Sequence, residues 1–399
     1  MIARETSQPL AGPFDRTRRF PSIVGAPADP VSRLAALGVI VAGCGSVGLT
    51  LVLHLARLGI GRLLCIDGKK IKPESLLTHP VTAAELGRPK AEVAVALAER
   101  ANLEVDARAF VGRLEQQSLY DLLGYDYLVA AVDHPRAELA AGAVSRALGI
   151  PLLRPAVHGE TLTAQVQCFG NRAEADPCPG CLFGTRDWRD LDAGRRFACD
   201  GSELPPGTEA PTMSLPSLCS LAADLCAHQL LRDALALGQP VRDTAISYSA
   251  LAHRALVGRL ARAPDCRAAH RVLKPVKMRK PLAACTPADL LEAAALPAEA
   301  AYLAVDDDFV FVELAHCRCG RDLAPGRFTR QPDALPGCAC GGLAAAVGIG
   351  TCREAPLRDW AARRAVPLAA LGAAEARYAV LTAGPDGVLL HGPGKEHTT

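Results

Sequence analysis

One stretch constrains this chain more than any other: Gly38-Val-Ile-Val-Ala-Gly43, followed at once by Cys44-Gly45-Ser46-Val47-Gly48. The first part is a short, apolar, β-branched run of the kind that forms a buried parallel strand. The residues that follow, LTLVLHLARLG (49–59), read as a buried helix ended by Gly59, and RLLCID (62–67) reads as a second strand. Strand, glycine loop, helix and strand together make a βαβ unit of about 30 residues. Gly43 permits the tight turn, Gly45 lets a phosphate approach the backbone, and Gly48 lets helix and strand pack closely. The helix N-terminus then offers free N–H groups to an anion. Asp67 ends the second strand, 19 residues after Gly48, where a carboxylate can accept hydrogen bonds from a ribose. On these features alone a nicotinamide or flavin nucleotide fits as well as ATP.

The pattern continues. PKAEVAVALAERAN (89–102) is expected to be a helix with Pro89 near its first turn. LEVDARAF and YDYLVAAVD (125–133) read as strands, HPRAELAAGAVSRALG as a helix and PLLRPAV as a strand. This alternation predicts an α/β fold, a Rossmann-like, doubly wound and mostly parallel sheet. Residues 184–217 form a long Gly/Pro/Arg/Asp-rich connection, followed by a helix over 217–238. The expected organisation is an N-terminal arm (1–35) carrying Arg16, Arg18 and Arg19, a nucleotide-binding domain (36–278), a linker, and a small C-terminal cysteine-rich, zinc-ribbon-like module (286–399). With 44 basic against 42 acidic residues the net charge is +2, which points to neither a nucleic-acid nor a membrane surface. No apolar run has transmembrane length and the N-terminus lacks a signal-peptide core, so a cytoplasmic protein is expected.

Two further residues bear on the choice of nucleotide. Lys90 lies in the first helical turn after the Gly87-Arg88-Pro89 bend. A lysine there opposes the helix dipole, so it is either a phosphate neighbour or simply solvated. Asp133 ends an apolar strand, where a carboxylate suits magnesium or caps the following helix.

Fifteen cysteines in a reducing compartment suggest metal before disulfides. Cys178-Pro-Gly-Cys181 is a knuckle-type pair whose best partner is Cys266-Arg-Ala-Ala-His270, giving a Cys₃His zinc site. The alternatives are two unrelated turn cysteines or a redox pair. Cys317-x-Cys319-Gly and Cys338-x-Cys340-Gly, separated by 18 residues, form a stronger Cys₄ zinc signal. Their surroundings are short and loop-rich, so metal is expected to replace a missing core there. Cys219 and Cys226 are expected in the core, as are Cys44 and Cys65, and His54 is expected to be buried and hydrogen-bonded. Cys168, Cys285 and Cys352 carry no pattern. Cys199 sits in RRFACDG, where Arg195 and Arg196 favour a thiolate and Asp200 opposes it; it is a nucleophile or an incidental loop cysteine.

Taken together, RTRRF in the arm, VAGCGSVG, the strand-ending Asp67, GRPK, VDHPR, CPGC followed by LF, and the later Cys/His pair resemble the ThiF/MoeB/HesA family, the activating enzymes of ubiquitin-like and sulfur-carrier proteins. The resemblance covers roughly residues 16 to 275. It implies that a C-terminal carboxylate of a small Gly-terminated protein attacks the α-phosphate of ATP, giving an acyl-adenylate and pyrophosphate. It also implies that Asp67 holds the ribose, Lys90 neutralises phosphate charge and Asp133 binds Mg²⁺. Arg16 or Arg19 would reach the nucleotide of a partner subunit in a homodimer. The Cys178 zinc would be structural, and Cys199 could accept the acyl group as a thioester before a downstream conjugating enzyme or sulfurtransferase acts.

The sequence departs from the family in one place. The usual Asp-x-Asp and Asn-x-x-Arg elements are replaced by Asp67-Gly68-Lys69 and by Ser75 and Thr78. Lys69, Lys70 or Lys72 could substitute. Alternatively the chain is a weakened relative that binds a peptide or leader sequence as a partner in peptide modification. A nicotinamide dehydrogenase finds no acid/base candidate and leaves the thiol pairs unexplained.

Overall fold

All five residues of β1 (Gly38–Ala42) are buried, because the strand is hydrogen-bonded along both edges and covered on both faces. The structure is a computed structural model that describes residues 25–192, 215–238, 242–317, 319–323, 326–331, 338–340 and 350–393. The chain divides into two units. The first comprises residues up to Gln116, Gly124–Ser145 and Ile150–His270, and the second Gln117–Leu123, Arg146–Gly149 and residues from Arg271 onward.

In the first unit, α1 (Pro30–Ala36) leads into β1, α2 (Ser46–Leu58), β2 (Arg62–Ile66), α3 (Lys90–Ala101), β3 (Asp106–Phe110) and β4 (Tyr127–Ala130). After the short α4 (Leu119–Leu122) of the second unit and that strand come α5 (Pro135–Leu148), β5 (Leu152–His158), β6 (Thr163–Phe169), α6 (Thr185–Asp192), α7 (Pro216–Ala234), β7 (Thr244–Ser249) and β8 (Arg254–Arg259). The sheet order is β3-β2-β1-β4-β5-β6-β7-β8. β3, β2, β1, β4 and β5 are mutually parallel, and β6, β7 and β8 continue the sheet antiparallel. The order reverses at β1, which has β2 on one side and β4 on the other. In open α/β sheets the crevice beyond the carboxyl ends at such a reversal is where ligands bind. Here the loop after β1 and the loop after β4 flank it.

The core lies between sheet and helices. Val39, Val41, Leu63, Cys65 and Val129 of the strands pack with Leu49, Val52 and Leu55 of α2 and with Cys226 and Leu230 of α7. Burying a leucine or valine side chain of this kind contributes about 1.5–3 kcal/mol. Helix α2 stops where the sequence places its glycine. Gly59 takes φ +89°, and the N–H groups of Gly59 and Ile60 donate to the carbonyls of Ala56 and Leu55, satisfying the last turn. Cys44, Cys65, Cys219 and Cys226 are buried as expected. Cys168 and Cys285 are buried too. His54 is half-buried rather than buried, its Nε2 3.1 Å from Asp224 of α7.

The second unit contains β9 (Lys274–Lys277), α8 (Pro287–Ala294), β10 (Tyr302–Val305), β11 (Val310–His316), β12 (Asp322–Leu323), β13 (Arg327–Thr329), β14 (Gly350–Cys352), β15 (Ala355–Pro356), β16 (Tyr378–Ala383) and β17 (Asp386–His391). One sheet runs β15-β10-β16-β17-β9, and a smaller one is centred on β11. Because β9 pairs with β17, residues 274–277 belong with this unit and not with the first. The expectation that metal substitutes here for a missing core does not hold. Phe311, Phe328 and Trp360 are buried together, with ring centroids 4.9–5.9 Å apart, and Leu303, Leu381, Leu368 and Leu390 complete a cluster of fully buried aliphatics. The inward side chains of β10, β16 and β17 build that core. Among the described residues no helix is long and apolar enough to cross a membrane.

Candidate functional site

The three glycines of the loop are there for different reasons. Gly43 has φ +90°, and a Cβ on it would sit 2.3 Å from the carbonyl oxygen of Ala131. A Cβ on Gly48 would sit 1.9 Å from the carbonyl oxygen of Gly43. Both are demanded by backbone packing. A Cβ on Gly45 would meet nothing within 4 Å among the described residues, and its φ of −81° is open to any residue. The protein itself therefore does not require glycine at position 45. Gly45 is also the N-cap of α2 and supplies no side-chain cap, so the helix presents bare N–H donors and the positive end of its dipole at this point.

Asp67 is fixed from both sides. Its Oδ2 accepts from the N–H of Cys44 at 2.8 Å, and its Oδ1 from the N–H of Lys69 at 2.7 Å. The carboxylate thus closes the β1 and β2 ends together, next to the glycine loop. An antiparallel bridge between Lys70 and Pro89, with the N–H of Lys90 donating to the carbonyl of Lys69 at 2.9 Å, brings the start of α3 to the same edge. Lys90 faces Asp67, Lys69, Asp133 and Cys44. Burial lowers its pKa from the usual lysine value and Lys69 pushes the same way, while Asp67, Asp133 and Cys44 oppose the shift.

A chain of hydrogen bonds joins this lysine to the glycine loop. The Ser46 hydroxyl donates to Thr78 Oγ1 at 3.1 Å, Thr78 Oγ1 lies 2.9 Å from His79 Nδ1, and Lys90 Nζ lies 3.2 Å from His79 Nε2. An ammonium can only donate, so Nε2 accepts and the neutral ring carries its proton on Nδ1, directed at Thr78. Burial, and then the Lys90 charge, lower the His79 pKa to about 4, in keeping with that tautomer. His79 was not among the expected site residues, since it lies in an aperiodic segment and belongs to no spacing rule. Thr78 occupies the position where the family pattern has arginine, and here it serves as the link. Ser75 is buried and caps the 3₁₀ turn Pro73–Leu77 by accepting from the N–H of Lys72 at 3.1 Å.

Asp133 follows β4 and is exposed. The helix-capping role open to it is filled by its neighbour: His134 Nδ1 accepts from the N–H of Arg136 at 3.1 Å. The start of α5 is pinned from below. Glu138 is buried and paired with Arg154 of β5, which also donates to Gln167 of β6 at 2.6 Å. Burial raises the Glu138 pKa and Arg154 counters it. Gly43, Gly45, Ser46, Gly48, Asp67, Lys90 and Asp133 are thus gathered at one sheet edge. Arg16, Arg19 and Cys199 lie outside the described residues.

The predicted Cys₃His set converges in the same unit. Cys178 Sγ lies 3.7 Å from Cys266 Sγ and 3.9 Å from Cys181 Sγ, and both Cys178 and Cys181 lie 3.5 Å from His270 Nε2. A tetrahedral zinc with bonds of about 2.3 Å to sulfur and about 2.0–2.1 Å to nitrogen requires edges of about 3.8 and 3.6 Å. The donors fit. His270 Nδ1 is 3.1 Å from the carbonyl of Asp176, an acceptor that fixes the proton on Nδ1 and leaves Nε2 free for a metal. In the second unit Cys317, Cys319, Cys338 and Cys340 also converge. Both clusters could bind a metal.

Among solved structures, those of MccB from E. coli superpose with a TM-score of 0.48 at 18% identity, covering 60% of this chain and 68% of that chain. Among curated relatives, an adenylyltransferase and sulfurtransferase of Mus musculus is 30% identical over 153 residues, 38% of this chain and 32% of its own length. The SAMP-activating enzyme E1 of Haloferax volcanii is 29% identical over 153 residues, 38% of this chain and 55% of its own. A sulfur carrier protein adenylyltransferase of Thermus thermophilus is 26% identical over 242 residues, covering 59% of this chain and 83% of its own. The chain therefore spans between a third and about half of the length of the first two relatives. Residues 14–268, which take in the glycine loop, the carboxyl edge of the sheet and the thiols up to Cys266, match the ThiF family as a whole, and the chain belongs to that family.

Proposed function

We propose that this protein uses ATP to adenylate the C-terminal glycine of a ubiquitin-like or sulfur-carrier protein. The observation that carries the reading is Gly45, the loop glycine whose Cβ would meet no described residue within 4 Å, at the N-terminus of α2 and beside Lys90, Asp67 and Asp133 at the switch point. The names of the curated relatives, which include a sulfur carrier protein adenylyltransferase and an activating enzyme, support it.

In this reading the bare N–H groups of α2 and Ser46 cradle phosphate, and Asp67 accepts from the ribose. Lys90 meets the charge that develops when the substrate carboxylate displaces pyrophosphate from the α-phosphorus. Asp133 would hold Mg²⁺, which supplies charge neutralisation on the phosphates. The protein's own contribution is pre-aligned charge in a partly desolvated site, where such interactions are strongest. His79 keeps the Lys90 ammonium aimed into the site by accepting one of its protons, and Thr78 ties that pair to Ser46. Thr78 of this relay stands where the family pattern has arginine, and exposed Lys69 adds cationic charge. The Cys178 cluster would hold a structural zinc. Arg16 or Arg19 would complete a neighbouring site in a homodimer, and Cys199 would accept the acyl group as a thioester for a downstream conjugating enzyme or sulfurtransferase, in the cytoplasm.

A second reading, a non-catalytic binder of a peptide or leader sequence, is favoured by one observation: Ser75, at the position where the family pattern has asparagine, is buried and accepts from the Lys72 N–H in a local cap. Pyrophosphate exchange into ATP, dependent on a small Gly-terminated protein, separates the two. Exchange is expected, and its absence with every candidate carrier would leave the binder. A thiol-labile conjugate lost in Cys199→Ser is the expected sign of the thioester step; a conjugate that survives that change removes Cys199 from the mechanism.

A further inference from the structure

The thiols of the second unit form a more regular object than their spacing alone indicates. Cys317 Sγ lies 3.5 Å from Cys340 Sγ, and Cys319 Sγ lies 3.8 Å from Cys338 Sγ. All four sulfurs fall within 4.8 Å of one another. The pairing is crossed: the first cysteine of each Cys-x-Cys turn meets the second of the other. Burial repeats the same symmetry, since Cys317 and Cys338 are buried while Cys319 and Cys340 are exposed.

Local structure explains how the first turn is built. Strands β11 and β12 pair in antiparallel register up to His316 and Asp322, so Cys317 to Arg321 is the tip of a hairpin. The N–H of Cys317 donates to the carbonyl of Arg321 at 3.0 Å, and that of Gly320 to the carbonyl of Cys317 at 2.9 Å. Gly320 takes φ +81°, a left-handed conformation that glycine adopts without cost. The tip therefore presents two sulfurs on one side.

These separations are too long for disulfides, which need about 2.05 Å. They match the edge of about 3.8 Å that four thiolates make around a tetrahedral ion. Four sulfurs with no nitrogen or oxygen donor select a thiophilic tetrahedral metal. We propose that Cys317, Cys319, Cys338 and Cys340 bind a zinc ion of their own, and that this ion is the more readily removed of two in the chain. The two exposed thiolates leave one face of the ion open to solvent and to a chelator. In the first cluster Cys178 is 2% and His270 5% exposed, and the histidine is held by the Asp176 carbonyl. Neither part of this proposal depends on adenylation.

The test uses the full chain. Elemental analysis of the purified protein should return about two zinc per chain, the number the two ligand sets specify. Release to a chromophoric chelator should proceed in two phases. Cys319→Ser and Cys340→Ser, which alter only exposed ligands, should remove the fast phase and about one zinc, with the slow phase intact. Cys181→Ser should instead alter the slow phase. Should the serine variants fail to fold, cobalt substitution of the unaltered protein gives the same information, because the sulfur-to-cobalt charge-transfer absorption should correspond to seven thiolates for two ions, three from one cluster and four from the other. The proposal is overturned by iron in place of zinc, by a metal content unchanged in both variants, by absorption corresponding to three thiolates only, or by a Cys317–Cys340 or Cys319–Cys338 disulfide found by mass. A slower phase lost in Cys319→Ser would overturn the order of release.

Discussion

Replacing each loop glycine in turn by alanine separates what the fold requires from what a ligand requires. Gly48→Ala places a methyl 1.9 Å from the Gly43 carbonyl oxygen. Alanine gains about 1 kcal/mol of helix propensity, but relieving that contact forces α2 away from the loop, and overpacking of this kind costs about 1–3 kcal/mol or more. Gly43→Ala meets the Ala131 carbonyl at 2.3 Å and holds φ at +90°, which adds about 1–2 kcal/mol for an L residue in a left-handed conformation. At about 2–4 °C per kcal/mol for a unit of this size, both variants should melt several degrees low. Gly45→Ala should not. Its backbone angles are ordinary and its surroundings open, so a weaker cap and a less flexible unfolded chain roughly cancel to within about 1 kcal/mol. Its ATP affinity should nevertheless fall more than tenfold, about 1.4 kcal/mol, since the methyl occupies the approach to the α2 N-terminus. Thermal melts and calorimetric titration with ATP and Mg²⁺ measure the two quantities on the same samples. A Gly45→Ala protein that keeps its stability and binds ATP as the unaltered protein does would refute the assignment of this loop to phosphate. One that melts as low as Gly48→Ala would show that position 45 serves the fold.

Two other outcomes follow from the geometry. His79 is buried and neutral with a pKa near 4, against about 6.5 in an unfolded chain. The unfolded state therefore binds the extra proton first, and stability should be complete above pH 6.5 and decline as pH falls toward 4, by up to about 3 kcal/mol; His79→Gln should flatten urea-denaturation midpoints over that window, and an unchanged slope would remove His79 as its source. In the second unit, Trp360→Ala removes a side chain 2% exposed between Phe311 and Phe328 and should cost about 3–5 kcal/mol, a loss measurable by urea denaturation with zinc present throughout.

Much of the first unit is legible in the sequence, because its elements are long, apolar and punctuated. Gly59 ends α2 where periodicity ends, and Asp67 and Asp133 stand just past apolar strands whose carboxyl edge is the binding edge of any such sheet. Thiol spacing likewise identifies both clusters, since metal geometry tolerates few arrangements. Two kinds of feature escape. The Ser46–Thr78–His79–Lys90 chain joins residues 32, 1 and 11 positions apart through an irregular segment, and side-chain contacts of that kind have no period to detect. The core of the second unit is built from short strands far apart in sequence, β10 with β16 and β17, so Trp360, Phe311 and Phe328 look like scattered aromatics until the strands pair. The distinction between Gly45 and its neighbours also needs coordinates, for all three fit the same spacing.

The central claim is that the carboxyl edge of the first sheet activates a protein carboxylate with ATP, and pyrophosphate exchange measures that step most directly. With a Gly-terminated ubiquitin-like or sulfur-carrier protein present, labelled pyrophosphate should enter ATP. Lys90→Ala and Asp133→Ala should each reduce the rate by about 10²-fold or more, as loss of a group that stabilises developing charge does. Exchange that proceeds undiminished in both variants, or that never occurs with any carrier while ATP still binds, would contradict the account.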